Sequence, residues 1–398
     1  MREIIQQQAF NAWASNPKSV LEIATGVGKT RIAIMAIAAV VSKFPDAKIL
    51  IIVPTELIRD KVFPEDFAKF GKSTLLANCT IECIQTVYKW TATEWTFVVC
   101  DELHNYLPKN GETNYEYFKF FEKNVYKYFL GLSATIDDSL KLSQYKLGPT
   151  VFRYTISQAA KDGVVSAFKF VNYAISLTEE ETKDLKLVQR NYNYYEHLLG
   201  GPYEAFHNAV IYRGNGTEEQ KIWANIFYGC IKKRKSILDK AYNKIIIARE
   251  IMGLFPESNG ILFSADIEQC EKLVLGRNDS IIYHSKLKKK ERLAAIAALE
   301  DGRTRIRFIS TVKALNEGVS INNLEVGIQL AGNSKSKDLI QQTGRICRYV
   351  EGKKPLMIRL YIQGTQDEKW LRKSQKDFDK SSVYWINSID QLLTIKNT

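Results

Sequence analysis

The chain has 398 residues, 45% of them hydrophobic and 25% charged, an ordinary globular balance and a length that favours two domains. Its longest apolar run, 32–41, is too short to span a bilayer, no leader pattern opens it, and its six cysteines show no C-x-x-C spacing. A reduced cytosolic protein without a zinc site or a membrane partner is therefore expected. Net charge is +12: residues 1–168 hold 19 Lys and Arg against 17 Asp and Glu, and residues 169–398 hold 37 against 27. Basic clusters in the second half, such as Lys232-Lys233-Arg234-Lys235, suit a polyanion, because neutralising phosphates releases counterions. A solvated helix face would look the same.

In chain order, short β-rich runs at 20–24, 48–53, 80–84, 97–100 and 128–132 alternate with helical stretches such as 30–43. This pattern predicts a parallel sheet covered on both faces. The aromatic-rich stretch 115–129 is read as core behind that sheet rather than as a base-stacking surface. Residues 148–165, opened by Gly148-Pro149, are read as a linker. A second alternating block follows, with strands at 168–176, 260–264, 280–283, 305–311, 326–330 and 356–362. Residues 178–252 break the alternation and read as a helical insertion, interrupted at Gly200-Gly201-Pro202 and Gly214-Asn215-Gly216. The expected fold is α/β, with domains at 1–168 and 169–398, each built on a mainly parallel sheet.

Two motifs carry chemistry. Ala24-Thr25-Gly26-Val27-Gly28-Lys29-Thr30 lies between a strand and an apolar helix. Its glycines let backbone N–H groups curl around phosphate oxygens at a helix N-terminus. Lys29 can reach the β- and γ-phosphates, and the Thr30 hydroxyl suits Mg²⁺. The strict pattern wants glycine at position 23, where this chain has Ile23. Some seventy residues on, an apolar strand ends in Asp101-Glu102, at the sheet edge where open α/β folds hold ligands. Asp101 could hold a hydrated metal and Glu102 could polarise water. The pair points to a hydrolase for ATP, with Mg²⁺ as its cofactor.

With Leu103 and His104 these carboxylates resemble the DEAH-type box of superfamily 2 helicases, and the resemblance covers nearly the whole chain. It implies two tandem RecA-like (P-loop) domains, the helical insertion opening the second. It also implies that Gln6 reads adenine, that Pro54, Thr55, Gln85 and Thr86 grip a nucleic-acid backbone, and that Ser133 and Thr135 link hydrolysis to binding. In the second block Ser264, His284, Ser285 and Thr311 resemble further nucleic-acid contacts. Glu317 and Gly318 resemble a loop that touches ATP, Gln341 a coupling residue, and Arg345 and Arg348 arginine fingers, whose planar guanidinium suits developing phosphoryl charge. Gln342, Ile136 and Ser320 depart from residues frequent in the family.

The loop at 317–320 is most similar to phage recombination helicases of the UvsW type and to the XPB-like group. That similarity implies work on duplex, forked or branched DNA, in recombination, repair or replication. The compartment would be the cytoplasm, or the host's for a phage protein, with single-strand-binding or recombination proteins as partners and a monomer as the working unit. Lys232, Lys233, Arg234 and Lys235 are expected to touch DNA beside the insertion. An RNA helicase, the motor subunit of a restriction system and an ATP-gated binding scaffold are the alternatives.

Overall fold

The computed structural model describes residues 1–107, 116–136, 147–312, 321, 323–332, 334, 336–350, 352–376 and 378–397. It contains two compact units. The first comprises Met1–Phe168, Ala314–Glu325 and Lys337–Pro355, and the second Lys169–Lys313, Val326–Ser336 and Leu356–Thr398. The division is not a single cut near residue 168, because segments from late in the chain return to the first unit.

The first unit is built on six strands: β1 (Lys18–Ile23), β2 (Ile49–Val53), β3 (Cys79–Cys83), β4 (Glu94–Cys100), β5 (Val125–Ser133) and β6 (Thr150–Tyr154). They lie in the order β3-β2-β4-β5-β1-β6, and every neighbouring pair is parallel. All five residues of β2 are buried, as befits a strand covered on both faces. Helices α1 (Arg2–Ser15), α2 (Lys29–Lys43), α3 (Phe63–Lys69), α4 (Ile84–Val87), α5 (Lys119–Lys123) and α6 (Ile156–Lys161) accompany the sheet. Phe118, Phe120, Phe121, Tyr126 and Phe129 share a core with Val98 and Leu50, so the aromatic stretch is packing, as read from the sequence. The segment expected as a linker contains β6 and α6 instead. Its part-buried Val151 and exposed Arg153 suit an edge strand, and Thr155 caps the following helix with a reciprocal bond to Gln158.

The second unit is built on seven strands: β7 (Lys169–Ile175), β8 (Asn259–Phe263), β9 (Ser280–Tyr283), β10 (Phe308–Thr311), β11 (Leu324–Gln329), β12 (Leu356–Ile362) and β13 (Val383–Ile386). Their order is β13-β7-β12-β11-β8-β10-β9. The edge strand β13 was not foreseen. The insertion is four helices, α7 (Glu179–Leu198), α8 (Ala205–Asn215), α9 (Glu218–Lys240) and α10 (Tyr242–Gly253). Capping boxes at Thr178 and Thr217 start α7 and α9, and Gly200 and Gly201, at φ +96° and +86°, turn the chain after α7.

The four helices divide into two parts. Helices α7, α8 and α9 close a small core of their own around Tyr192, Leu199, Ala209 and Phe227. Helix α10 packs Ala248, Ile251 and Met252 into the core of the sheet. The insertion is thus a three-helix arm rooted on an ordinary sheet-covering helix. Helices α11 (Ile267–Val274), α12 (Lys289–Glu300), α13 (Ser336–Ile346), α14 (Gln366–Ser374) and α15 (Ile389–Asn397) complete the described chain.

Candidate active site

Strands β4, β5 and β1 are consecutive in the first sheet, so the loops leaving their carboxyl ends converge. The loop after β1 carries Thr25, Gly26, Val27 and Gly28 and leads into α2 at Lys29 and Thr30. Gly26 and Gly28 sit at φ +93° and +100°, a region that a Cβ resists. A Cβ at Gly28 would also meet the Gln6 amide nitrogen at 2.5 Å. The curl is therefore open to a phosphate on one side and sealed by Gln6 on the other.

Gln6 is 3% exposed, whereas its neighbours Gln7 and Gln8 face outward. Its amide donates to the Val27 carbonyl at 2.7 Å, and its buried Oε1 has no hydrogen-bond partner. An orphan acceptor is costly unless a ligand donor meets it, and the exocyclic amine of adenine is such a donor. Gln6 also lines a cleft of about 310 Å³ with Glu3, Ile4, Gln7, Arg31 and Met35. Arg31 and Met35 carry no motif, and sequence reasoning missed them.

Asp101 and Glu102 follow β4. Glu102 has φ +50°, an uncommon conformation for a residue with a side chain and one that clusters at functional sites. It aims the carboxylate at α2, where Lys29 Nζ lies 2.7 Å from Glu102 Oε1. Thr30 hydrogen-bonds Asp66 on α3, a residue that no motif flagged. Burial raises the Asp66 carboxyl above its ordinary range, while the Thr30 bond and the Arg348 charge oppose the shift. Thr30 and Asp101 offer a hydroxyl and a carboxylate, the hard oxygen donors that Mg²⁺ prefers. Such sites leave further positions to phosphate oxygens and water. Among the described residues no cluster of three or more His, Cys, Asp or Glu forms a self-sufficient metal site.

Behind the carboxylates runs a chain of hydrogen bonds whose polarity can be worked out. The Ser133 hydroxyl donates to the Thr135 carbonyl at 2.7 Å. His104 Nδ1, 2.6 Å from the same oxygen, must then be the protonated nitrogen. His104 Nε2 is left to accept from the Gln341 amide on α13 at 3.2 Å. The same helix brings Gly344 against the phosphate loop: a Cβ there would approach Thr25 Cβ to 2.5 Å. Arg345 lies in the last turn of α13 and Arg348 two residues beyond its end. Glu317 and Gly318 lie outside the described residues.

The candidate nucleic-acid contacts fall into two rows. In the first unit Pro54 and Thr55 follow β2 while Gln85 and Thr86 follow the neighbouring β3. The Gln85 amide donates to the Pro54 carbonyl at 3.4 Å. In the second unit Ser264, His284 with Ser285, and Thr311 end the adjacent strands β8, β9 and β10. Both ring nitrogens of His284 and the hydroxyls of Thr55 and Thr311 are buried without hydrogen-bond partners.

The basic cluster on α9 is not one exposed patch. Lys232 and Lys233 are exposed. Arg234 instead lies 4.3 Å over the Tyr192 ring and bonds Gln189 at 3.2 Å. Lys235 reaches Asp239 at 2.5 Å and the Gly332 carbonyl at 2.9 Å. Arg234 and Lys235 are thus tied to neighbours within the second unit, while Lys232 and Lys233 stand exposed.

Two family models match the chain: type III restriction enzyme, res subunit, over residues 2–138, and helicase conserved C-terminal domain, over 243–350. The DNA 3'-5' translocase XPB2 of Sulfurisphaera tokodaii is 24% identical over 391 residues, covering 93% of this chain and 84% of that protein. Among solved structures, S. cerevisiae Dbp5 bound to RNA and ADP BeF3 has a TM-score of 0.66 at 16% identity, covering 99% of this chain and 92% of that one. The helicase domain of Pyrococcus furiosus Hef has a TM-score of 0.56 at 15% identity, covering 93% and 96%. Both structural likenesses show the fold: two tandem RecA-like domains.

Proposed function

This chain belongs to helicase superfamily 2, an ATP-driven class of enzyme, and on that premise we propose that it is a motor that translocates on or opens DNA. The observation that carries the reading is the convergence of Lys29, Glu102 and the His104–Ser133 pair at the ends of three adjacent strands, joined to a relative whose name is that of a DNA translocase.

In this reading the backbone of Thr25–Gly28 cradles the phosphates and Gln6 Oε1 accepts from adenine. Lys29 exchanges Glu102 for the phosphates. The carboxylate so released orients and polarises the attacking water. Thr30 and Asp101 would hold Mg²⁺, which supplies charge neutralisation on the phosphates. Arg345 and Arg348 stabilise charge that develops on the transferred group. Through Gln341, His104 and Ser133, the state of the nucleotide site is tied to Thr135 and to the strand ends that hold the nucleic acid. Glu317 and Gly318 are assigned to ATP by the family resemblance alone.

Pro54, Thr55, Gln85 and Thr86 in the first unit would hold a nucleic-acid backbone, as would Ser264, His284, Ser285 and Thr311 in the second, with Lys232 and Lys233 adding charge from the arm. Contacts of this kind fix register without reading sequence. Forked and branched DNA, met in recombination, repair or replication, are the proposed substrates. No helix among the described residues is long and apolar enough to cross a membrane.

The deciding measurement is ATPase stimulation across single-stranded DNA, duplex DNA, forks, four-way junctions and RNA. Stimulation by DNA, greatest on forks or junctions, is expected. Stimulation by RNA alone would replace this reading with that of an RNA helicase.

A further inference from the structure

The start of α12 concentrates charge that neither the ATP chemistry nor the arm uses. Lys286, Lys288, Lys289 and Lys290 are all exposed. Among the described residues no carboxylate pairs with any of the four. Helix α12 begins at Lys289, with Lys288 at its N-cap. A lysine side chain carries donors only, so it offers nothing to the N–H groups of the first turn. Glu291, the one acid of that turn, instead reaches back to the Lys288 N–H at 2.7 Å. Cations are disfavoured at a helix N-terminus, where the macrodipole is positive. The local sequence thus works against the helix it begins, and an anion bound at this end relieves the conflict.

Placement in the sheet points the same way. Strands β9 and β10 are parallel, with Tyr283 opposite Thr311. The turn at 284–288 therefore leaves from the carboxyl edge of the second sheet, where open α/β sheets hold ligands. Two buried side chains at that edge have unmet polar atoms. Thr311 is fully buried with its hydroxyl unpartnered, and His284, 5% exposed, has no hydrogen-bond partner on either ring nitrogen. Glu271 stands 3.9 Å from His284 Nε2, outside hydrogen-bonding reach. Unmet buried polar atoms are expensive, and a ligand that brings polar atoms of its own removes the cost.

We propose that Lys286, Lys288, Lys289 and Lys290 bind phosphates of the DNA backbone at the N-terminus of α12. The ammonium groups neutralise charge, and the first-turn N–H groups that Lys288 cannot cap add directed donors. Contacts of this class fix position without reading bases. The surface lies wholly within the second unit. It rests on the DNA-motor reading and names the part of that unit that carries most of its salt dependence. Helix and ligand want opposite residues at position 288, which gives the inference a signature that mere solvation lacks.

The test measures fork-DNA affinity of the full-length chain by fluorescence anisotropy across a salt titration. One variant changes Lys286, Lys288, Lys289 and Lys290 to Gln. A charge-matched control changes Lys369, Lys373, Lys376 and Lys380, also exposed, to Gln. The first should flatten the slope of log affinity against log salt by up to about 3.6, at about 0.9 per phosphate contact. The control should flatten it by less than about 1. A third variant, Lys288→Asp, supplies the missing cap acceptor while removing a phosphate contact. Its thermal midpoint should rise by about 2 °C while fork affinity falls on the order of 5-fold.

Equal flattening in the two quadruple variants would mean that net charge alone acts, and overturns the inference. So does an unchanged slope in the first, or a Lys288→Asp chain that keeps its affinity. Binding of RNA with no binding of DNA overturns the choice of DNA. A slope that flattens as expected, in a chain whose ATP turnover no DNA stimulates, keeps the phosphate surface and overturns the motor reading.

Discussion

Lys29 Nζ and Glu102 Oε1 are 2.7 Å apart, with both side chains largely withdrawn from water. The residue that should grip the phosphates and the one that should direct the water thus hold each other. Nucleotide binding has to separate them. Glu102→Gln should remove a competitor for Lys29 together with a negative charge beside the phosphates, so a non-hydrolysable ATP analogue should bind about 2- to 5-fold more tightly. Turnover should fall on the order of 100-fold or more. Weaker binding with turnover retained, by calorimetry and a phosphate-release assay, would show that the pair serves structure rather than catalysis.

Lys29→Ala should lose both phosphate affinity and turnover. It should not be rescued by raising Mg²⁺, because the missing charge is one the protein supplies. Titration of turnover against Mg²⁺ and ATP checks this, and a full recovery at high Mg²⁺ would contradict it.

Gly344 packs so closely on Thr25 that a methyl group has no space. Gly344→Ala should push α13 off the phosphate loop and slow hydrolysis on the order of 10-fold, with the thermal midpoint moved only slightly. A variant that hydrolyses ATP normally would mean that α13 does not need this approach during turnover.

Charge on the arm should be felt as salt dependence. Each phosphate contact contributes about −0.9 to the slope of log affinity against log salt on duplex DNA. Replacing Lys232 and Lys233 with alanine should therefore flatten that slope by up to about 1.8, leaving DNA-free turnover intact. An unchanged slope over a full titration would mean that these lysines only solvate α9.

Burial opposes ionisation of Asp367, but the Lys244 and Arg359 cations beside it outweigh that and hold its carboxyl below the usual range. A depressed carboxylate lends stability above its unfolded-state pKa, and that stability is lost as pH falls through the folded value. The second unit should accordingly weaken below about pH 4. Asp367→Asn, which strands two buried cations, should cost about 3–5 kcal/mol and lower its thermal midpoint by roughly 10 °C. Melting curves of the two proteins across acid pH would expose a mistake through an unchanged midpoint.

Several of these relationships were legible in the sequence. Gly26, Gly28 and Lys29 are near neighbours in one loop, and Asp101-Glu102 ends an apolar strand, so local pattern sufficed. Asp66 was not legible, because its role comes from packing α3 beside α2. Nor was the Lys244–Asp367–Arg359 group, in which Lys244 lies over a hundred residues from its two partners and the arginine sits inside a fully buried strand. Within the cluster at 232–235 the differences come from packing that the sequence does not display. Consecutive helix residues project about 100° apart, so four in a row cannot all face one partner; Arg234 lies over the Tyr192 ring and Lys235, still half exposed, is tied to Asp239 and Gly332. The segment at 148–165 misled because an edge strand of five residues gives little periodicity to read.

Strand β1 has both its partners, β5 and β6, far downstream. A ribosome that has just released Ile23 must add about a hundred more residues before β5 exists, roughly 5–20 s at ordinary elongation rates. Throughout that interval an apolar strand and the phosphate loop behind it have no sheet to join. The ATP site is thus among the last parts of the first unit to form although its loop is among the first to be made. A pause or a truncation before residue 133 would leave β1 open to a chaperone or to another nascent chain.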